Sequence, residues 1–260
     1  MSFQKPHIAL AGATGNLDLV ILDTLLSAGY TVTALTRHTS PSISKLPSHP
    51  NLTAHPVDFT SVTSLTTALL STSTKASVVI SALATLPIGA QNPLIDACGA
   101  AGLNPLARDL PVCAPKAATQ RYLAQKCAEN PECGFSWTGI ANGLFLDWSA
   151  TLYNGSDVQC NVTLLMDVAR AVLGVIENLD SEDIRNRVVY VDSAVVSQRR
   201  LIGYVQEMDD GGPDVEGAML GFCIVGSWDP EYGCDFLGRL DNELLGMKEM
   251  SEKGLKGFIS

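Results

Sequence analysis

Residues 7–27 read HIALAGATGNLDLVILDTLLS and join a short apolar strand to a helix through a turn that contains two glycines. We predict the strand at His7–Ala11 and the helix at Asn16–Ser27, where apolar residues recur at helical spacing. A sharp turn at Gly12, and no Cβ at Gly15, would let a pyrophosphate approach the helix N-terminus. An ordinary tight turn also suits two glycines, but the flanking strand and helix favour a dinucleotide site. Its predicted contacts are Gly12, Thr14, Gly15, Asn16 and Leu17.

The chain after this turn alternates strands and helices, which predicts an α/β protein with a Rossmann-type, doubly wound parallel sheet. The pattern becomes mixed near residue 143. We therefore predict an NAD(P)-binding domain over residues 1–142 and a smaller C-terminal α+β lobe over residues 143–260. The predicted strands are 31–36, 52–57, 76–82, 135–140, 151–153 and 188–191, and the helices are 61–70, 88–101, 114–129, 162–177 and 197–207.

The end of the second predicted strand indicates which dinucleotide would bind. An acidic residue there contacts the ribose 2′-hydroxyl of NAD, whereas an arginine accommodates the 2′-phosphate of NADP. The strand ends at Arg37, Lys45 follows in the next loop, and residues 24–57 contain no Asp or Glu. We therefore predict NADP(H), although Arg37 would also suit a solvated surface. Asp58 ends the third strand and would either meet the adenine or cap the next helix.

Composition narrows the range of partners. Apolar residues make up 46% of the 260 residues, charged residues 17%, and the formal net charge is −10. A surface of this sign repels nucleic acid and anionic membranes, so we expect neither as a partner and expect a small-molecule substrate instead.

The seven cysteines form no C-x-x-C pair, and all four histidines precede residue 56. We therefore expect no metal site, and the odd cysteine count fits reduced thiols in the cytoplasm. Residues 76–95 carry no charge, but prolines, glycine and amides interrupt them, so we interpret them as strand, loop and helix, not as a membrane span.

Several segments together resemble the fungal NmrA-like/isoflavone-reductase-like family of atypical short-chain dehydrogenases/reductases. They include IALAGATGNL at 8–17, SAL at 81–83, APKAATQRYL at 114–123, FSWTGIANGLFLDW at 135–148 and YGCDFLGRLDNELLG at 232–246. The resemblance implies an NADPH-dependent reductase of small aromatic or secondary metabolites. Some members of the family instead bind dinucleotides and regulate without known turnover.

The resemblance also implies roles for individual residues. The family's catalytic lysine matches Lys116, which would bind the nicotinamide ribose and relay a proton; as a lone lysine it would otherwise be a surface charge. Ala82 and Leu83 match the cofactor-contacting segment. Asn142, Gly143 and Phe145 match the segment that leads into the substrate pocket, although Phe145 also suits a core.

The chain departs from the family pattern in ways that suggest internal deletions. Asp18 replaces a small residue in the glycine turn, and its charge near the phosphates would weaken cofactor binding. Residues 103–113 contain two prolines and few strand formers, so we predict no strand of four or more residues between Gly102 and Ala114. The strand at 135–140 would then pair with 76–82, or an open edge would allow a homodimer. The segments near 148–151 and 208–222 look shortened.

Three functions follow as expectations. The first is an NADPH-dependent reductase in secondary metabolism, which rests on the glycine turn, Arg37 and Lys116. The second is a catalytically inactive NAD(P)-binding sensor, which rests on Asp18 and the absent strand. The third is a redox-neutral isomerase or cyclase that reuses the same pocket.

Overall fold

The computed structural model of the chain divides into two compact units. The first unit comprises Met1–Ala141 and Val175–Val189, and the second comprises Asn142–Gly174 and Tyr190–Ser260. The structure describes residues 5–38, 40–71, 76–83, 91–101, 104–107, 114–129, 134–145, 159–197, 199–200, 236 and 238–259. The predicted strand at 151–153, nearly all of the predicted helix at 197–207 and the two segments expected to be shortened lie outside these residues.

The first unit contains a five-stranded parallel sheet in the order β3-β2-β1-β4-β5. The order reverses between β1 and β4, and open α/β sheets bind ligands in the crevice at such a reversal. The predicted α/β class with a Rossmann-type sheet is confirmed. The elements are β1 (Ile8–Ala11), α1 (Asn16–Ser27), β2 (Val32–Arg37), β3 (Leu52–Val57), α2 (Val62–Leu70), β4 (Val78–Ser81), α3 (Asn92–Ala101), β5 (Asn104–Ala107) and α4 (Ala114–Glu129).

The central strands are apolar on both faces because helices cover both faces. One face of the sheet, with Ala11, Leu35 and Val79, belongs to a buried cluster that includes residues of α2, α3 and α4. The alternate residues are buried too, among them Leu10 and Ile80 on the other face. This packing therefore requires short strands in which consecutive residues, and not only alternate ones, are apolar.

The prediction of no strand between Gly102 and Ala114 is wrong. Asn104–Ala107 forms β5 and pairs in parallel with β4 along the full length of both strands, with Pro105 opposite Val79. β5 is the last strand in the described order of the sheet, and edge strands accommodate proline. The alternative pairing of 135–140 with β4 is also wrong, because β4 already has β1 and β5 as neighbours. Residues 108–113, the rest of this segment, lie outside the described residues.

Two further strands form a separate ladder. β6 (Thr138–Asn142) pairs with β9 (Arg187–Val191) in a two-stranded sheet. The Oγ1 of Thr138 donates a hydrogen bond to the carbonyl of Ile184, 2.8 Å away, and both residues are buried. This contact fixes the start of β6 beside the chain that leads into β9.

The second unit contains a three-stranded sheet in the order β10-β8-β7, in which β8 runs parallel to β7 and antiparallel to β10. Helix α5 carries a strongly apolar face, with Val168, Val172 and Val175 fully buried. The remaining elements are β7 (Leu144–Phe145), β8 (Gln159–Thr163), α5 (Leu165–Glu177), β10 (Ala194–Ser197) and α6 (Glu252–Ile259). None of the helices within the described part of the chain is long and apolar enough to cross a membrane.

Candidate functional site: the glycine turn and its surroundings

The turn after β1 packs directly against the residues that follow β4. Gly12 adopts a φ of +98°, which favours glycine, and its carbonyl accepts the amide hydrogen bond of Thr14 at 2.7 Å. A Cβ on Gly12 would lie 2.9 Å from the carbonyl oxygen of Ala82 and 3.4 Å from the amide nitrogen of Leu83. The structure therefore brings together three predicted cofactor-binding residues at the reversal between β1 and β4.

Gly15 is the N-cap residue directly before α1, and its amide donates a hydrogen bond to a side chain of that helix. The amide of Gly15 donates to the Oδ2 of Asp18 over 3.2 Å, and Asp18 is buried. A Cβ on Gly15 would collide with this carboxylate oxygen. The carboxylate thus lies at the N-terminus of α1, where the pyrophosphate of a dinucleotide would be bound.

The predicted contacts Asn16 and Leu17 form the first turn of α1, the former exposed and the latter half-buried. Thr14 is also half-buried in the turn before them. The whole predicted loop therefore lies at one end of the sheet with part of its surface open.

The basic residues predicted to bind the 2′-phosphate follow β2. Arg37 is the last residue of β2, is exposed and pairs with Val57 of β3. Because Ala11 pairs with Leu35, Arg37 extends two residues beyond the end of β1. Lys45 ends the 3-10 helix Pro41–Lys45 and is exposed as well.

Asp58, directly after β3, is exposed and takes part in a local turn. Its Oδ1 accepts from the Thr60 hydroxyl at 2.7 Å and from the Thr60 amide at 2.8 Å, and these hydrogen bonds lower the pKa of Asp58. The charge of His38 adds to that lowering. The cap of α2 is Ser61, whose hydroxyl accepts from the amide of Ser64. Adenine contact by Asp58 remains a prediction.

Lys116 is the third residue of α4, the helix that follows β5. A helix that returns the chain from the carboxyl end of a parallel strand begins near that edge of the sheet, which is also the ligand edge. Further along α4, Tyr122 donates a hydrogen bond to the Oδ1 of Asp96 on α3 at 2.7 Å, and Lys126 lies 3.4 Å from the same atom. The pKa of Tyr122 is raised, mainly because the phenol is partly buried and secondly because of this hydrogen bond to Asp96.

The predicted substrate residues lie where β6 passes into β7. Asn142 is buried and its side-chain amide donates to the carbonyl of Gly143 at 2.7 Å. A Cβ on Gly143 would collide with the backbone of Asn161 in β8, and the amide of Gly143 donates to Thr163. Phe145 pairs with Thr163 in the ladder of β7 and β8. Close packing of strands therefore accounts for the glycine without a substrate, and substrate contact by the three residues remains a prediction.

A buried polar network in the second unit has no counterpart in the sequence-based predictions. The carboxylate of Asp192 accepts from the side-chain amides of Asn161 at 2.6 Å and Asn242 at 2.8 Å, and all three residues are buried. The Oδ1 of Asn161 accepts from the amide of Phe236, whose ring meets Tyr190 edge to face. Phe236 and Asn242 both belong to the segment 232–246 that was quoted for the family resemblance. Part of that segment therefore serves to complete this buried hydrogen-bond network.

These features define a class of protein, an α/β dinucleotide-binding fold with a glycine turn at the strand-order reversal. A family model described as NAD(P)H-binding matches residues 12–179, well over half of the chain. The chain belongs to this NAD(P)H-binding family, which confirms a nicotinamide dinucleotide as the predicted kind of cofactor. No curated protein matches the chain in sequence.

Solved structures of similar fold include three with instructive functions. An NADPH-dependent quinone oxidoreductase from Escherichia coli is 17% identical, with a TM-score of 0.69 over 97% of this chain and 98% of that one. The negative transcriptional regulator NmrA in complex with NADP is 16% identical, with a TM-score of 0.64 over 78% and 71%. Pinoresinol-lariciresinol and phenylcoumaran benzylic ether reductases give 17% identity and a TM-score of 0.62 over 81% and 78%. At these identities the likeness shows that the chain shares the fold of these proteins.

The described residues fit a nicotinamide dinucleotide at Gly12 and conflict with one at Asp18. Gly12 allows the chain to turn tightly against Ala82, which is the role of the first glycine in a dinucleotide-binding turn. Asp18 places a carboxylate on the amide of Gly15, which a phosphate would otherwise use. The fold therefore forms the dinucleotide-binding turn, but the carboxylate of Asp18 accepts from the amide that a phosphate of the ligand would use.

Proposed function

We propose that the chain is an NADPH-dependent reductase that acts on a small aromatic or secondary metabolite. The observation that carries the proposal is the meeting of Gly12 with Ala82 and Leu83 at the strand-order reversal, with Arg37 at the end of the neighbouring strand. Bound there, NADPH supplies a hydride to the substrate.

The preference for NADPH over NADH rests on charge at the end of β2. Arg37 is exposed at that point, and Lys45 is exposed in the connection to β3. No Asp or Glu lies between residues 24 and 57, so the site lacks the carboxylate that would favour the 2′-hydroxyl of NAD. The guanidinium of Arg37 would instead pair with the 2′-phosphate.

Lys116 is the residue we assign to catalysis. Its place in the first turn of α4 suits a group that binds the nicotinamide ribose and delivers a proton to the reduced substrate. Asn142, Gly143 and Phe145 are proposed to border the substrate. The net charge of −10 argues against nucleic acid and anionic membranes as partners. The odd number of cysteines favours reduced thiols, so we also propose that the protein is cytoplasmic.

A second candidate function rests on Asp18. A carboxylate on the Gly15 amide would weaken dinucleotide binding, which suits a sensor that must release its ligand as concentrations change. The sensor and the reductase share the cofactor site and differ in turnover.

Calorimetric titration of NADPH and NADH tests the cofactor preference. Wild type should bind NADPH at least about tenfold more tightly, and Arg37→Ala should remove most of that difference because one charged hydrogen bond contributes about 1.5–3 kcal/mol. Arg185→Ala, which removes another exposed arginine of the first unit, serves as the matched control and should leave both affinities unchanged. Equal affinities for the two cofactors in wild type would contradict the proposal.

Turnover distinguishes reductase from sensor. NADPH oxidation should be followed with a panel of quinones, aromatic ketones and benzylic ethers, with wild type and Lys116→Met side by side. A reductase gives a rate that Lys116→Met abolishes while NADPH affinity is largely retained. Binding without oxidation across the panel favours the sensor, and full activity in the variant would assign the proton transfer to another group.

A further inference from the structure

Two buried hydroxyl groups at the carboxyl edge of the sheet, the Oγ1 of Thr36 and the Oγ of Ser81, have no hydrogen-bond partner within the part of the chain that the structure describes. The two side chains are only 5% and 6% exposed. A buried hydroxyl without a partner destabilises a folded protein, so each one in a native structure requires an explanation. Among the described residues the only other such atoms belong to Thr66 and Trp137, which lie on α2 and before β6.

Thr36 and Ser81 flank the glycine turn. Ser81 is the last residue of β4 and pairs with Ala11, the last residue of β1. Thr36 follows Leu35, which pairs with Ala11 on the other side, so Thr36 lies one residue beyond the end of β1. Side-chain alternation places Ser81 on the same face of the sheet as Ala11, and Thr36 on the opposite face. The two hydroxyls therefore border the turn on both sides and on both faces.

We propose that these hydroxyls are ligand-binding groups of the dinucleotide site, with Thr36 bonding the adenosine half and Ser81 the nicotinamide half. The proposal rests on the proposed function, because it requires a dinucleotide at this edge. It accounts for the two hydroxyls, because the ligand would supply the hydrogen-bond partners that the described residues do not.

The assignment of halves follows from the strand order. The end of β2 meets the adenosine ribose in dinucleotide-binding sheets, and Thr36 immediately precedes Arg37 there. The ligand crosses the reversal between β1 and β4, so its nicotinamide half lies toward β4, where Ser81 ends the strand. A fragment that contains only the adenosine half would reach Thr36 and leave Ser81 without a partner.

The test compares NADPH with adenosine 2′,5′-bisphosphate, the adenosine half without the nicotinamide, by calorimetry on the full chain. Thr36→Val should weaken both ligands about three- to tenfold, the effect of one hydrogen bond. Ser81→Ala should weaken NADPH by a similar factor and leave the fragment unchanged. Thr36→Ser keeps a hydroxyl and should retain most of the wild-type affinity.

Thr66→Val is the matched control, because it removes another hydroxyl that lacks a partner, on α2. It should leave both affinities unchanged. Thermal unfolding without ligand provides an independent readout: neither Thr36→Val nor Ser81→Ala should lower the midpoint, since neither hydroxyl bonds to any residue that the structure describes.

A lowered midpoint in either variant would show that its hydroxyl has a structural partner, and would overturn the proposal. Unchanged NADPH affinity in both variants would also overturn it, while the Arg37→Ala comparison could still support the proposed function. Absence of NADPH binding by wild type would overturn both proposals together.

Discussion

Helices α1 and α2 begin at the same edge of the same sheet, yet their first turns are completed in different ways. The N-terminus of α2 is capped by Ser61, whose hydroxyl accepts from the Ser64 amide at 3.2 Å. The N-cap of α1 is Gly15, which has no side chain that could accept a hydrogen bond, and the carboxylate of Asp18 accepts from the Gly15 amide instead. The first turn of α2 is thus capped by a neutral side chain of the protein. The first turn of α1 suits a bound anion such as a phosphate, but it already holds the carboxylate of Asp18.

The largest expected effect comes from filling the turn that precedes α1. Gly12→Ala would add a Cβ 2.9 Å from the Ala82 carbonyl at a φ of +98°, so both the backbone conformation and the contact become unfavourable. We expect the free energy of unfolding to fall by about 2–4 kcal/mol and NADPH affinity to fall at least about tenfold. Chemical denaturation and calorimetry measure the two quantities.

Gly134→Ala separates the two causes. Gly134 also has a positive φ, of +69°, but a Cβ there would have no atom of the described residues within 4 Å. This variant should lose about 1 kcal/mol from backbone strain and should leave NADPH affinity unchanged. If Gly12→Ala were no more harmful than Gly134→Ala, the packing of the turn against Ala82 would not matter.

The next effect concerns the internal anion. Asp18→Asn keeps an oxygen that can accept from the Gly15 amide and removes the charge, so NADPH should bind at least about fivefold more tightly. The expected size follows from a Coulomb energy of about 1–4 kcal/mol between charges ~4 Å apart, for effective dielectric constants of 80 to 20. Calorimetric titration at low and high salt measures it, and the gain should shrink as salt screens the charges.

Asp18→Ala removes both the charge and the hydrogen-bond acceptor. Because the carboxylate completes the first turn of α1, stability should fall by about 1 kcal/mol while NADPH affinity rises. Opposite signs for stability and affinity are the signature of a side chain that replaces a ligand. An affinity that stays the same or falls in both variants would mean that the phosphates do not approach Asp18.

The contrast between the two helix starts was only partly predictable from the sequence. Ser61 is a strong capping residue by type, and the bounds of α1 follow from its apolar spacing. The spacing of Gly15 and Asp18 matches that of a helix cap and the third helical residue, which was the available signal for their hydrogen bond. The sequence-based interpretation considered the charge of Asp18 and overlooked its reach to that amide.

Other features depend on pairing that a single sequence does not reveal. Pro105 argues against a strand only if its nitrogen must donate to a neighbour, and β5 lies at the end of the described strand order. The need for glycine at position 143 arises from the backbone of Asn161, which lies 18 residues later in the chain. Asp192 looks like a surface acid in the sequence but is fully buried between two asparagine amides.

The smallest expected effect concerns the helix start that needs no ligand. Ser61→Ala removes the hydroxyl that accepts from the Ser64 amide, so the free energy of unfolding should fall by about 1 kcal/mol. NADPH affinity should not change, because the hydroxyl that Ser61 contributes to the cap is neutral and does not compete with the phosphates of the ligand. Ser61→Asp, which retains a capping oxygen, should keep most of the stability. If Ser61→Ala instead changed NADPH affinity as Asp18→Ala does, the two helix starts would belong to one ligand site. The distinction between Ser61, which only stabilises its helix, and Asp18, which occupies the place of a ligand, would then be wrong.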